Sequence, residues 1–447
     1  MNDARLSARL ASLGQALSID PGQSFPAALD EAGLEGAYRF LGNSKVEPSR
    51  ILQPHVRETL LRAQAEDTVL AIHDTTSFDY GSGGKRTGLG RKRSAGQCFF
   101  AHTTLAVSGD GSRRPLGAIG LHTYVRDQQA SAGREAGRWL QQMHAVADAG
   151  FRREKVIHVA DRESDSYATL TALSAGEHRF VLRMSKDRRL LQKTPIGARK
   201  VAEAMRSVET KVERDVPLCR RISEGRNPLA CKLHPSRDSR IASLSIGAQR
   251  VTFDRPKHLK TVGLPDSYSV NIVRVWEPDP PAGDAPIEWL LLTSEPIDTV
   301  AQLEKVVDHY RARWVIEEFF KALKSECKLE ERQLESYHSL RNALAVFMPI
   351  AWTLLRLRST ARQSPDAPAT AALDADEVHV LRAIARTPLP ENPSCREVML
   401  AIAALGGHLK RNGEPGWKTL TLGYRKLSAQ VAGFRIAPKS RKRSDQS

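Results

Sequence analysis

Two aspartates, Asp74 and Asp161, each follow a short apolar run. Val69-Leu70-Ala71-Ile72 leads into His73-Asp74-Thr75-Thr76, and Lys155-Val156-Ile157-His158-Val159-Ala160 leads into Asp161. Such runs suit buried strands whose polar ends open into a site. In an open α/β sheet, ligands gather at strand carboxyl ends. Two carboxylates there can share divalent cations, and Mg2+ keeps enough of its waters that few protein ligands suffice. Either aspartate alone also reads as a turn residue or a helix N-cap.

A third segment adds to this chemistry. In a helical stretch at about 305–325, Tyr310, Arg313, Glu317 and Lys324 stand at spacings of three, four and seven. At about 100° per residue, they fall within roughly 60° of one another on one face. Ala312, Ile316, Phe319 and Leu323 form a separate apolar stripe. Such a helix buries one stripe and presents a Tyr-Arg-Glu-Lys ribbon to a ligand. A solvated face held by ion pairs, Arg313 with Glu317 for instance, fits the spacing as well.

These residues need elements to position them. Residues 1 to about 65 read as helical, with Leu6, Leu10, Leu13 and Leu17 at three- and four-residue spacing, a break at Pro21-Gly22, and renewed spacing through Tyr38, Phe40 and Leu41. The strand of Asp74 is followed by strand candidates at 98–108 and 116–125, split by Gly109-Asp110-Gly111. A helix at 134–148 leads to the strand of Asp161, an α/β succession. Residues 190–288 alternate in short segments, such as Val270 with Ile272, and read as a mostly β insertion. Trp289–Thr293 is again a buried strand, followed by two helices entered at Pro296 and Asp298. The Ser/Pro/Ala-rich stretch 359–372 reads as a linker, and helical spacing resumes over 374–435. His73 and His158, inside strands, read as packing residues.

Composition narrows the partners. The chain has 67 Lys and Arg against 51 Asp and Glu, a net charge of +16, which favours a polyanion such as nucleic acid. The basic residues cluster at Lys85-Arg86, Arg91-Lys92-Arg93, Lys186 to Arg189 and Lys439 to Arg443, spread as a long DNA footprint would need. The last cluster lies in a polar tail expected to be disordered. Five scattered cysteines with no CxxC pair argue against a zinc site or a disulfide framework, and a reducing cytoplasm fits. There is no apolar leader, and no run approaches the ~20 apolar residues of a membrane span.

The segment Tyr310-Arg311-Ala312-Arg313-Trp314-Val315-Ile316-Glu317 through Lys324 resembles the Tyr-x2-Arg-x3-Glu-x6-Lys signature of bacterial insertion-sequence transposases of the transposon Tn-five type. Ile72–Ser77 resembles that family's first-Asp strand, and Asp161-Arg162-Glu163-Ser164-Asp165 its second-Asp motif. Glu35–Phe40 resembles its N-terminal DNA-binding domain. Gly406-Gly407, Gly413 and Trp417 resemble its C-terminal region. The matches run in family order along most of the chain.

The resemblance implies an α/β fold: an RNase H-like catalytic core with a β-strand insertion, flanked by helical N- and C-terminal domains. The implied division is a DNA-binding domain at 1–65, a catalytic domain at 66–358 with its insertion at about 190–288, a dimerisation domain at 373–436 and a basic tail at 437–447. Asp74, Asp161 and Glu317 become a DDE triad that holds Mg2+, with Mn2+ an acceptable substitute. Tyr310, Arg313 and Lys324 become phosphate contacts near the scissile bond. Trp289 becomes the aromatic that stacks an extruded base during a hairpin step. Arg183, Lys186 and Arg39 become further DNA contacts; Tyr38 reads as a DNA contact or as core. The implied partners are double-stranded transposon-end and target DNA and a second copy of the chain, in a bacterial cytoplasm, with no membrane. Family members usually carry a further N-terminal arm before the segment matched by Asp3–Leu6, which implies either weakened end recognition here or a start placed too late. Two other functions stay open: a noncatalytic DNA-binding relative that represses or inhibits transposition, and a structure-selective nuclease on the same fold. A basic RNA-binding scaffold finds no supporting motif.

Overall fold

Leu13 and Leu17, picked out by helical spacing, are buried in the first of four N-terminal helices: α1 (Ala4–Ile19), α2 (Phe25–Ala28), α3 (Glu31–Gly42) and α4 (Pro48–Gln64). Asp3 caps α1 through the amides of Arg5 and Leu6, Asp30 caps α3 through Gly33, and Pro48 opens α4 where its missing N–H costs nothing. The computed structural model describes residues 3–84, 86–91, 96–126, 132–192, 197–221, 235–259 and 263–444, without the side chains of 132–136, 410 and 436–444. Lys85, Lys92 and Arg93 of the basic clusters, and the side chains of Lys439 to Arg443, lie outside the described set. The chain divides into two units. The first is Met1–Ser131, Ala145–Phe151 and Trp314–Ser447; the second is Ala132–His144 and Arg152–Arg313.

In the first unit, β1 (Val69–Asp79) pairs antiparallel with β3 (Gln97–Ser108). The other edge of β3 carries the short β2 (Gly90–Arg91) and then β4 (Pro115–Tyr124). β1 runs well past its apolar start. Residues 76–79 keep pairing with β3, so Asp74 stands mid-strand opposite Thr103 and not at a strand end. The polar Thr75, Thr76 and Ser77 are half-buried, and β-branched residues suit such a surface.

Helix α9 (Trp314–Lys321) packs against β1 and runs into a π-helical turn, Ala322–Glu326. Helix α10 (Tyr337–Gln363) lies against α3, α4 and β4. It continues through residues 359–363, expected as linker, because Thr360 and Ala361 are buried. By length and composition α10 could cross a bilayer, which the sequence reading did not foresee; most of its apolar stretch is buried within the unit, as in a core helix. The buried Arg332 lies between the rings of Phe25 and Phe347 and donates to the carbonyls of Pro21, Gln23 and Cys327. It thereby ties the loop after α1 to the core.

Helices α11 (Ala375–Ile384), α12 (Cys395–Leu405) and α13 (Trp417–Ser444) bury Leu381, Val398, Ile402, Leu420 and Leu427 together. α13 continues helical through residues expected as a disordered tail, since extending a formed helix is far easier than nucleating one. Gly406 and Gly423 let α12 and α13 touch: a Cβ on Gly423 would lie 1.7 Å from the Ile402 carbonyl oxygen. Gly423→Ala is therefore expected to destabilise by about 1–3 kcal/mol, the usual cost of overpacking. A wild-type midpoint in denaturant would contradict that close approach.

In the second unit the strand order is β5 (Val156–Ala160), β6 (Arg179–Arg183), β10 (Glu288–Thr293), β9 (Ser267–Trp276), β8 (Arg240–Asp254) and β7 (Val212–Leu218). Helix α5 (Ala132–Asp148) precedes β5 in the chain; β5 and β6 are parallel, joined through α6 (Tyr167–Ala175), and the remaining pairs are antiparallel. The inserted strands thus extend one sheet. β10 returns between β6 and β9, and the inserted α7 (Val201–Arg206) buries Met205 in the same core as Phe180, Leu182, Phe253, Ile272 and Leu292. Helix α8 (Val300–Arg311) opens with a reciprocal capping box between Thr299 and Gln302.

One half-buried histidine, His55, and one buried histidine, His158, give the fold a pH dependence. Burial, helped by Arg62, lowers His55 to about 4; burial, helped by His178 and His144, lowers His158 to about 3. Both are neutral when folded and take up protons in the unfolded chain below its value of about 6.5. Their stabilising effect is complete above that pH and is lost as pH falls towards 4 and 3. Unfolding at pH 5 should be easier than at pH 7 by roughly 2 kcal/mol per histidine. His158→Asn should shrink that difference, and an unchanged pH profile would contradict it.

Candidate active site

Asp74 sits on β1 with its residue 9% exposed, where the strand passes from buried to half-buried positions. Its Oδ1 accepts the Thr75 amide at 2.7 Å, and Thr75 Oγ1 in turn meets His102 Nδ1 of β3 at 3.0 Å. Glu317 is half-buried on α9, the helix packed on this strand. Lys324 lies in the π-helical turn, a rare geometry that recurs at functional sites. Its Nζ donates to the Ser77 carbonyl at 2.6 Å, stands 3.6 Å from Glu330 Oε1 and faces the Phe78 ring. Asp74, Glu317 and Lys324 therefore belong to one unit: Asp74 is on β1, Lys324 reaches β1 at Ser77, and Glu317 is on the helix packed against it.

The single helical ribbon does not form. Helix α8 ends at Arg311, the Arg313 amide bonds back to the Tyr310 carbonyl at 3.0 Å, and α9 begins at Trp314. No Gly or Pro marks this break, which falls at the boundary between the two units; tertiary packing has overridden helix propensity. The apolar stripe behaves as expected, with Ala312, Ile316, Phe319 and Leu323 all fully buried. Tyr310 and Arg313 are in the second unit, and Tyr310 is only 6% exposed.

In the second unit Asp161 follows β5 directly. It caps the turn Arg162–Ser164, with Oδ1 accepting the Glu163 amide at 2.9 Å and its carbonyl accepting Ser164 Oγ at 2.7 Å. The Tyr310 hydroxyl lies in the field of Arg183, Arg313 and Asp161. Burial raises the Tyr310 hydroxyl above its usual range, against the pull of Arg183 and Arg313, so it stays protonated and able to donate. The Trp289 ring, half-buried on β10, meets the Tyr310 ring edge-on at 5.4 Å between centroids. Arg183 also donates to the Glu288 carbonyl at 3.3 Å. Lys186 is exposed on the loop after β6. Arg39 occupies the exposed face of α3, paired with Glu35 at 2.5 Å. His73 and His158 are buried, His73 on Thr104 and His158 on His178. The sequence reading passed over Asp165, which is buried and receives two loop amides; its place at the end of the Asp161 motif was the available signal.

A family model described as a transposase DDE domain matches residues 67–349, which include Asp74, Asp161 and Glu317. The chain belongs to the DDE transposases. Residues 1–46 of the transposase match a transposase DNA-binding model, and residues 349–444 match the transposase Tn5 dimerisation domain. Its partners are therefore DNA and a second copy of itself, and the mixed α/β core is RNase H-like. Such transposases generally use a divalent metal. Carboxylate oxygens, the donors a hard cation prefers, are present at Asp74 and Glu317 in the first unit and at Asp161 in the second, each unit taken by itself. Among the described residues no three His, Cys, Asp or Glu side chains are grouped as a metal site.

Proposed function

We propose that the transposase moves DNA by cut and paste, with Asp74, Asp161 and Glu317 as its carboxylate triad and Mg2+ as the ion they hold, Mn2+ serving in its place. When bound, the metal supplies the positive charge that activates water or a 3′-OH and stabilises the leaving oxygen of an in-line phosphoryl transfer. Tyr310, Arg313 and Lys324 grip phosphates beside the scissile bond, Arg313 as a bidentate fork and Lys324 as a point charge. Arg183, Lys186 and Arg39 add backbone contacts. Trp289 takes a base extruded from the DNA end while a hairpin closes.

The observation that carries this reading is the gathering of Asp161, Arg183, Trp289 and Tyr310 in one unit. A carboxylate, a guanidinium, a phenol and a half-buried indole suit a distorted DNA end; a simple phosphodiesterase has no need of the aromatic pair. Residues 1–65 bind the element's ends, and residues 66–358, with the insertion at about 190–288, perform the chemistry. Residues 373–436 pair two copies in a synaptic complex where each cuts the end held by the other, and the 437–447 tail adds a basic arm. The setting is the bacterial cytoplasm, at the nucleoid.

A time course on labelled end DNA tests the order of steps: nick, then hairpin, then resolved end. Double-strand breaks appearing with no hairpin would contradict the proposal. Lys324→Ala should weaken end binding at all sequences alike and lower the salt slope of log K by about 1, the signature of one lost phosphate contact. An unchanged slope would remove that role.

A further inference from the structure

One buried carboxylate joins the turn that carries Asp161 to the loop that carries Lys186. The Asp165 side chain is wholly shielded from solvent. Its Oδ2 accepts the Ser185 amide at 2.6 Å and the Lys186 amide at 2.8 Å. Its Oδ1 stands 2.5 Å from the guanidinium of Arg188, whose side chain is 5% exposed. That guanidinium lies over the Phe253 ring and donates to the Lys186 carbonyl at 3.4 Å. Ser185 Oγ adds a bond to the Arg162 carbonyl at 3.1 Å, one residue beyond Asp161. Asp161 itself caps the short turn that ends at Asp165.

A buried ion pair is weak evidence for stability, since two apolar residues often pack as well. Apolar residues could not offer an anion to two consecutive amides. We propose that Asp165, held in place by Arg188, is a positioning residue that locks the Lys186 loop to the Asp161 turn, so that a phosphate grip and a catalytic carboxylate keep one fixed geometry. The functional half of this inference rests on the reading of Asp161 and Lys186 given above.

Amide hydrogen exchange and end binding test it on the full chain. In Asp165→Asn the Ser185 and Lys186 amides should exchange about ten- to a hundredfold faster, the loss of charge-assisted bonds, while the β6 amides keep their protection. End binding should weaken about tenfold, and adding Lys186→Ala should weaken it no further, because the loop is already released. Asp165→Asn leaves Arg188 buried without its partner and can unfold the chain. The double variant Asp165→Leu/Arg188→Met removes both charges and the acceptor, and the same results are expected of it. Unchanged exchange at Ser185 and Lys186 in either folded variant would overturn the lock. So would a Lys186→Ala effect as large in the variant as in the wild type. Lys186→Ala without effect on wild-type binding would instead overturn the DNA contact of Lys186, and the exchange result would still decide the lock.

Discussion

Glu317→Ala should bind end DNA with near wild-type affinity and fail to cut it. Glu317 is half-buried on α9, which rests on the strand of Asp74. The stripe that holds the helix down is Ile316, Phe319 and Leu323, and the substitution leaves it untouched. The loss should therefore fall on chemistry. Removing even an outer partner of a metal ligand costs about 10- to 100-fold, so losing a ligand should slow strand nicking by more than about a hundredfold. Asp74→Ala and Asp161→Ala should behave alike in cleavage. Asp161→Ala also loses a turn cap, so its thermal midpoint should fall as well. Retained cleavage in any of the three would remove that residue from the triad. Loss of binding together with cleavage would point to a structural role.

Trp289→Ala should separate two steps of the reaction. The indole lies on β10 with its Cα opposite Val275 and its ring against Tyr310, half-exposed and not sealed in the core. Stacking of a base on an aromatic is worth about 1–3 kcal/mol by alanine substitution. Hairpin closure, which needs an extruded base, should slow roughly 5- to 150-fold. The first nick needs no extrusion and should change little. Trp289→Phe should recover part of the rate, because a smaller ring still stacks. Equal slowing of both steps would make Trp289 a packing residue.

The elements that carry the candidate site were legible because their patterns are written in short segments. The apolar runs before Asp74 and Asp161 form strands, and the stripe through Ile316 and Phe319 is buried. Other features had no local signal. Asp74 stands mid-strand because pairing with β3 carries β1 beyond its apolar start, and pairing is a long-range property. The break after Arg311 comes without Gly or Pro, and the π-helical turn at Lys324 follows from packing, which periodicity does not register. Tyr310 looked like part of an exposed ribbon, but its ring is buried against Trp289. Asp165 is polar, and its neighbours in sequence say nothing of the Ser185 and Lys186 amides it accepts.

The most direct test of the central claim is cleavage of linear DNA carrying the element's own terminal repeats by the wild-type chain, with Mg2+ or with EDTA. The account predicts nicks and hairpin ends with Mg2+ and none with EDTA. Binding of the same DNA without cleavage under either condition would contradict it and favour a noncatalytic DNA-binding protein.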